Sequence, residues 1–307
     1  GTKENPFGNG ESDTFIKVTN SSNADTLYLS WELTDTKVSF DNYKFELEKP
    51  KTIKTVGKDE TKFYFTHVPY NEPVSISISL IKKDEVIKNF STKVKIDGLD
   101  KKISGIIIPD QGSVTGGDGM YSIPLPDGRS IFLMGDSYIG TVTNGQRSAS
   151  DHMYRNTYIV YNKGKVNAIY GANSNKNASA AVPPEFPDEK KWYWPGHGFV
   201  DDNKLYIFQT VMYQGGDDMW GFRYETTHVL EYNLPDFELV KTTPIPFKGS
   251  EDIHYGMAVL KESDYVYIYA QVDVSNDMDP ISEVLVARST MNSLYTGWEY
   301  YTDSGWS

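Results

Sequence analysis

The sequence predicts an all-β protein in two parts: a small β-sandwich, then β-hairpins repeated in the manner of a β-propeller. Three observations lead there. From about residue 14 to 97, apolar side chains alternate with polar ones at period two, the pattern of half-buried strands. In the second half, a Gly followed by apolar residues leads three times through a short polar turn into an aromatic-rich strand. No stretch anywhere shows helical periodicity of useful length.

Residues 1–13 are polar and rich in Gly and Asn, and read as a flexible tether. In the sandwich, spanning 14–97, Leu27, Leu29 and Trp31 share one face, as do Tyr43, Phe45 and Leu47. Phe63 and Phe65 follow, then Val74, Ile76, Ile78 and Leu80, and finally Val94 and Ile96. Turn signals such as Lys58-Asp59-Glu60 and Pro69-Tyr70-Asn71-Glu72-Pro73 separate them, as in two facing antiparallel sheets. A hinge is expected at Asp97-Gly98-Leu99-Asp100, and a short strand from Ile103 to Ile108. The repeat region then runs over 103–307.

Its hairpins start at Gly119, Gly198 and Gly256, 79 and 58 residues apart, with turns at Pro126-Asp127-Gly128, Asp201-Asp202-Asn203 and Glu262-Ser263-Asp264. Hairpins recurring at such periods suit propeller blades, whose radial arrangement directs function to one central pocket. Outer strands fit at Thr157–Tyr161, His228–Tyr232 and Val284–Ala287. A four-stranded blade takes about 40–50 residues, so some two hundred residues make about three to four blades. The sequence therefore reads as part of a longer propeller.

Composition narrows the function. A formal charge of −12 disfavours nucleic acid and anionic membranes, which need a basic footprint. Cys is absent, which excludes disulfides, thiolate metal sites and a Cys nucleophile. No apolar run is long enough to span a bilayer. The opening Gly1-Thr2 suggests removal of a leader, hence a secreted, cell-surface or periplasmic protein with a lipid anchor at its native N-terminus. A trimmed cytosolic protein is the alternative.

Two resemblances sharpen this. The segment with Trp31 in LYLSWEL, then NYKFELEK, KFYFTHVPYNEPVSISISLI and FSTKVKI, resembles a fibronectin type III domain, which implies a spacer. The pieces GGDGMYSIPLPDGRSIFLMGDSY, WYWPGHGFVDDNKLYIF and VLVARSTMNSLYTGWEYYTDSGW resemble the start of a five-bladed propeller of the β-fructosidase/arabinanase superfamily of glycosidases. They are closer still to bacterial members known only as domains of unknown function. That resemblance implies acids at the starts of the innermost strands, converging on the channel mouth.

Glycoside hydrolysis needs two groups across the scissile bond, roughly 5 Å apart for retention and roughly 6.5–9.5 Å for inversion. The corresponding positions are Asp118, His197, and Glu251, Asp252 and His254. Asp118, between Gly117 and Gly119, is the candidate base; closing a tight turn is its other reading. His197 stands where the commoner relatives carry a carboxylate, so it is either a general acid or a histidine bonded to a loop carbonyl. Glu251 is a leaving-group acid if desolvated, and otherwise part of an exposed acidic loop. His254, immediately before a strand, is expected to point inwards.

For substrate binding, the resemblance puts Asp136 at the pocket rim, with an Asx-turn as the alternative. Arg155 and Asn156 could reach sugar hydroxyls, and Tyr255 lines the third hairpin. The aromatics near the second copy, Trp192, Trp194 and Trp220 among them, either stack on sugar rings or pack between sheets. Channels of some relatives hold Ca²⁺, but no spaced ligand motif appears here, so no metal or other cofactor is assigned. The sequence reading is a carbohydrate-active protein, a glycoside hydrolase on a poly- or oligosaccharide. Its alternatives are a non-catalytic glycan-binding propeller and a structural or adhesion scaffold.

Overall fold

The structure is a computed structural model that describes residues 15–107, 113–172, 175–184, 190–249, 252–275 and 281–307. The tether of residues 1–13 and the candidate acid Glu251 lie outside the described residues. Described strands dominate throughout, and no helix is long and apolar enough to cross a membrane. The chain divides into two compact units, residues 1–104 and 105–307.

The first unit contains β1 (Ile16–Asn23), β2 (Thr26–Leu33), β3 (Asn42–Leu47), β4 (Thr52–Gly57), β5 (Lys62–Phe65), β6 (Val74–Lys82) and β7 (Glu85–Val94). They form one sheet in the order β1-β2-β5 and another in the order β4-β3-β6-β7. Period-two alternation decides what is buried: Leu27, Leu29 and Trp31 on β2 meet Tyr43, Phe45 and Leu47 on β3. Trp31 and Phe45 hold their ring centroids 4.7 Å apart at the centre of this core.

The expected strand from Ile103 is not formed. Residues Lys101–Ser104 make a short helix, α1, because the Asp100 carboxylate accepts hydrogen bonds from the Lys102 and Ile103 amides and caps it. Asp100 thus competes successfully with the β-propensity of the Ile-rich run that follows.

The second unit begins with β8 (Ser113–Pro124), β9 (Ser130–Gly140), β10 (Val142–Thr143), β11 (Gln146–Arg147), β12 (Met153–Tyr154), β13 (Thr157–Asn162) and β14 (Lys165–Ile169). Sheet I has the order β8-β9-β13-β14, with β12 pairing the far stretch of β9; β10 and β11 form a small separate hairpin. Sheet II runs β15 (Lys191–Asp201), β16 (Lys204–Gln214), β17 (Phe222–Asn233), β18 (Glu238–Pro244) in sequence order. Sheet III likewise runs β19 (Ile253–Glu262), β20 (Tyr265–Asp273), β21 (Ser282–Thr290), β22 (Glu299–Thr302), β23 (Gly305–Trp306). Among the described residues no sheet closes on itself.

The three Gly-led hairpins are therefore β8–β9, β15–β16 and β19–β20. Asp202 and Asn203 both take positive φ, as the tight turn of the second hairpin requires. Each copy also breaks its ladder at the leading glycine. Register shifts fall around Gly117–Tyr121, between Pro195 and Gly198, and between Tyr255 and Ala258. The glycine at 196 is obligatory for a second reason: a Cβ there would meet the Gly256 carbonyl oxygen at 2.2 Å, so sheets II and III touch backbone to backbone.

Apolar faces hold the sheets together. Ile131, Leu133 and Tyr158 of sheet I bury against Tyr193, Leu205, Ile207 and Leu230 of sheet II. The opposite face of sheet II, with Phe199, Tyr206 and Phe208, buries against Tyr255, Val259, Val266 and Ile268 of sheet III. Tyr255, a candidate for sugar binding, is thus a core residue, edge-on to Trp298 and Phe247. The sequence could not show that another sheet covers it.

Tyr158, Tyr232 and Gln209 bond to one another in this core, while Gln209 Oε1 has no partner among the described residues. The Tyr158 hydroxyl accepts from Gln209 Nε2 at 2.7 Å and lies 3.3 Å from the Tyr232 hydroxyl. Burial pushes the Tyr158 phenol up to about 12, with the two hydrogen bonds opposing the shift. Its contribution to stability is therefore complete below an unfolded value of about 10 and is lost as pH rises through about 12. Urea midpoints should fall across that alkaline window, by about 1.4 kcal/mol per pH unit at steepest for this phenol. In Tyr158→Phe the slope should be measurably shallower; an unchanged slope would contradict the assignment.

Candidate functional site

All three hairpin turns lie at one end of the sheets, so the opposite end gathers the first residues of β8, β15 and β19 with the last of β9 and β16. Asp136 is the hub there. Its Oδ1 accepts a 2.8 Å hydrogen bond from Trp194 Nε1, and its Oδ2 lies 3.1 Å from Arg155 Nη1. One carboxylate thus ties the end of β9 in sheet I to β15 of sheet II. The Asx-turn reading of Asp136 is not what the geometry shows.

Arg155 continues the array, its guanidinium 4.5 Å from the centroid of Trp192, a cation–π distance. Trp192 is buried with Met212 and Tyr224, and its indole Nε1 has no hydrogen-bond partner among the described residues. Trp194 meets Phe222 edge to face at 4.9 Å, and Phe222 leads out to Trp220, which is 72% exposed. The result is an aromatic surface that grades from a buried indole to an open one, with a fixed acid–base pair at its inner edge. Sequence reasoning named these aromatics; it had no signal for the order in which they touch.

Asp118 sits on the bulge of β8 as an exposed carboxylate above Gly135, where a Cβ would come within 3.4 Å of its own. Beside it, the Arg147 guanidinium lies 4.2 Å from the Tyr138 ring centroid and close to Gly116. No motif announces that pair, because the two residues meet only through the β10–β11 hairpin folding back over β9.

Three sequence candidates do other work. His197 does not present an acid to this surface. Its Nδ1 is 3.1 Å from both the Val259 amide nitrogen and the Val259 carbonyl oxygen, and its Nε2 is 3.1 Å from the Ser122 carbonyl oxygen. With Nδ1 accepting and Nε2–H donating, the imidazole bridges β19 and β8 from its place on β15, so both ring nitrogens are engaged. The carbonyl-bonded reading is the one that the geometry supports.

Asn156 is fully buried. Its Nδ2 donates to the Ala181 and Tyr193 carbonyls at 3.0 Å each, and its Oδ1 accepts from the Ala181 amide at 2.8 Å. It pins a loop and β15 to sheet I rather than reaching a ligand. The His254 ring stacks on Tyr224, with centroids 4.2 Å apart. Among the described residues, no group of three or more His, Cys, Asp or Glu side chains is arranged to hold a metal ion.

No curated protein matches the chain. Among solved structures, one from Bacteroides ovatus ATCC 8483, described as a "putative hydrolase", superposes with a TM-score of 0.52 at 19% identity. The match covers 76% of this chain and 58% of that one, so the chain spans under two thirds of the neighbour's length. A central fibronectin-III array of RIM-binding protein aligns over 87% of this chain and 95% of its own at 12% identity, with a TM-score of 0.22, too low to imply a common fold. The family-level match covers the repeat region with its hairpins, bulges and Asp136 array. Over residues 108–307 the chain belongs to DUF5005, a domain of unknown function.

Proposed function

We propose that the second unit is a propeller-type module that binds a saccharide on the surface formed by Trp194, Phe222 and Trp220, oriented by Asp136 and Arg155. The observation that carries this reading is the graded aromatic surface locked to a charged pair by the 2.8 Å Trp194–Asp136 hydrogen bond. Sugar rings offer apolar C–H faces to stack on indoles, and polar groups at the rim fix their orientation. Three consecutive antiparallel sheets led by bulged inner strands support the propeller reading. Seven strands in two sheets support a fibronectin type III-like spacer for the first unit. The location that goes with this function is secreted, cell-surface or periplasmic.

The test is a titration of plant, algal and host oligosaccharides. Trp220→Ala, which removes an exposed ring and spares the core, should weaken binding about tenfold, roughly 1.4 kcal/mol. Binding of equal strength in that variant, or no binding across the panel, would remove the reading.

A second reading is favoured by exposed Asp118 on the bulge and by the hydrolase description of the Bacteroides ovatus neighbour: the same surface hydrolyses the glycan it holds. Asp118 would act as base, and an acid partner other than His197 would be needed, since both its nitrogens are bonded to backbone. In a reducing-end assay Asp118→Asn should lose at least about a hundredfold in rate while retaining binding. An unaltered rate takes Asp118 out of the mechanism.

A further inference from the structure

Three arginines of the second unit share one device. Arg129, Arg155 and Arg288 each lie over an aromatic ring, 5.0 Å from the centroid of Phe237, 4.5 Å from that of Trp192 and 4.3 Å from that of Tyr265. Each also holds a carboxylate at the edge of its guanidinium: Asp127 at 2.7 Å, Asp136 at 3.1 Å and Glu299 at 2.7 Å. The ring takes the face of the planar cation, and the in-plane N–H groups are left to bind an anion.

Arg147 has the first half of this device and not the second. Its guanidinium lies 4.2 Å from the Tyr138 centroid and reaches over Gly116, where a Cβ would stand 3.7 Å from Nη2. Among the described residues no carboxylate, Asp118 included, comes within ion-pairing distance of Arg147, and the residue is exposed. Tyr138 follows Asp136 by two residues on β9, so the two side chains leave the same face of the strand, about 7 Å apart along it. Ser137 between them is buried on the other face and bonds to Thr157. β12 pairs with this stretch of β9 and delivers Arg155 to Asp136. Two guanidinium groups thus stand side by side at the candidate site, one neutralised by Asp136 and the other not.

We infer that Arg147 binds an anionic group of the saccharide, a carboxylate or a sulfate ester, on a sugar unit beside the one that Asp136 and Arg155 orient. The inference rests on the proposed saccharide surface and adds to it the class of ligand. A guanidinium matches either anion with two parallel N–H donors, and stacking on Tyr138 fixes its plane in advance. The ligand supplies what Asp127, Asp136 and Glu299 supply to the other three arginines. One unpaired cation in a chain of formal charge −12 suits a glycan with isolated charges rather than a polyanion.

The test is calorimetric titration of the full chain with trisaccharides of galactose and of glucose, each neutral, with one uronate unit, or with one sulfate ester. A charged form should bind at least about tenfold more tightly than its neutral counterpart, and the tighter arm tells carboxylate from sulfate. Raising salt from about 0.01 M to about 1 M, which shortens the Debye length from about 30 Å to about 3 Å, should shrink that preference. Arg147→Ala should abolish the preference. Arg147→Lys should keep only part of it, because an ammonium cannot offer two parallel N–H groups from a plane stacked on Tyr138. Both variants should unfold in urea close to the parent's midpoint, since the residue is exposed. Equal binding of charged and neutral forms, or an Arg147→Ala variant that weakens all of them by one factor, overturns the inference and leaves the saccharide surface standing. Binding of none of these sugars, nor of any in the wider panel, removes the surface and the inference with it.

Discussion

Replacing His197 with alanine should lower the stability of the second unit by about 1–3 kcal/mol, as read from urea unfolding. The imidazole joins all three sheets, taking a hydrogen bond from Val259 and giving one to Ser122. Truncation takes the side-chain partner from the part-buried Val259 amide, a loss of about 1–3 kcal/mol, while the exposed Ser122 carbonyl can turn to water. His197→Gln, which offers one acceptor and one donor at similar reach, should recover part of the loss. The experiment also separates two roles. If stability is unchanged while a glycan-directed activity disappears, the histidine acts on substrate and the bridging assignment is wrong.

Asn156→Ala should cost more, about 3–5 kcal/mol, because three buried hydrogen bonds vanish together. Both the Ala181 and Tyr193 carbonyls lose their shared donor, and the Ala181 amide loses its acceptor. Asn156→Asp is the sharper variant. A carboxylate can still accept from Ala181, but it cannot donate to either carbonyl and faces them with a charge. It should destabilise at least as much as alanine despite its identical shape. The neighbouring Arg155 should then lose its alignment on Asp136 and Trp192, so saccharide binding falls with stability. Should Asn156→Ala fold with full stability and bind a glycan less tightly, Asn156 is a ligand contact after all.

These two residues show where the amino-acid pattern stopped being informative. His197 and Asn156 were singled out because polar side chains stood next to special glycines or opened a strand, and that much is real: both occupy positions of unusual constraint. A polar residue at such a position has two ways to be satisfied, by a ligand or by backbone from another strand. The residues that decide between them, Ser122, Val259 and Ala181, are 75, 62 and 25 residues away. Tyr255 failed for the same reason, being covered by Trp298 and Phe247 rather than by solvent. Asp136 was expected at a pocket rim; its bond to Trp194 spans 58 residues and two sheets, which no local pattern announces.

The sequence by itself determined the local order: an all-β chain, its sandwich strands with their buried sides, and the three Gly-led hairpins. Those properties follow from period-two alternation, turn residues and backbone freedom, all of which act within a few residues. Only the tertiary structure decided which of the special polar residues meet solvent. At each leading glycine a bulge interrupts the alternation, so counting by twos no longer tells which way a side chain faces. What lies opposite is then set by how sheet stacks on sheet, and this turned His197 and Asn156 into pins and left Asp118 and Trp220 exposed.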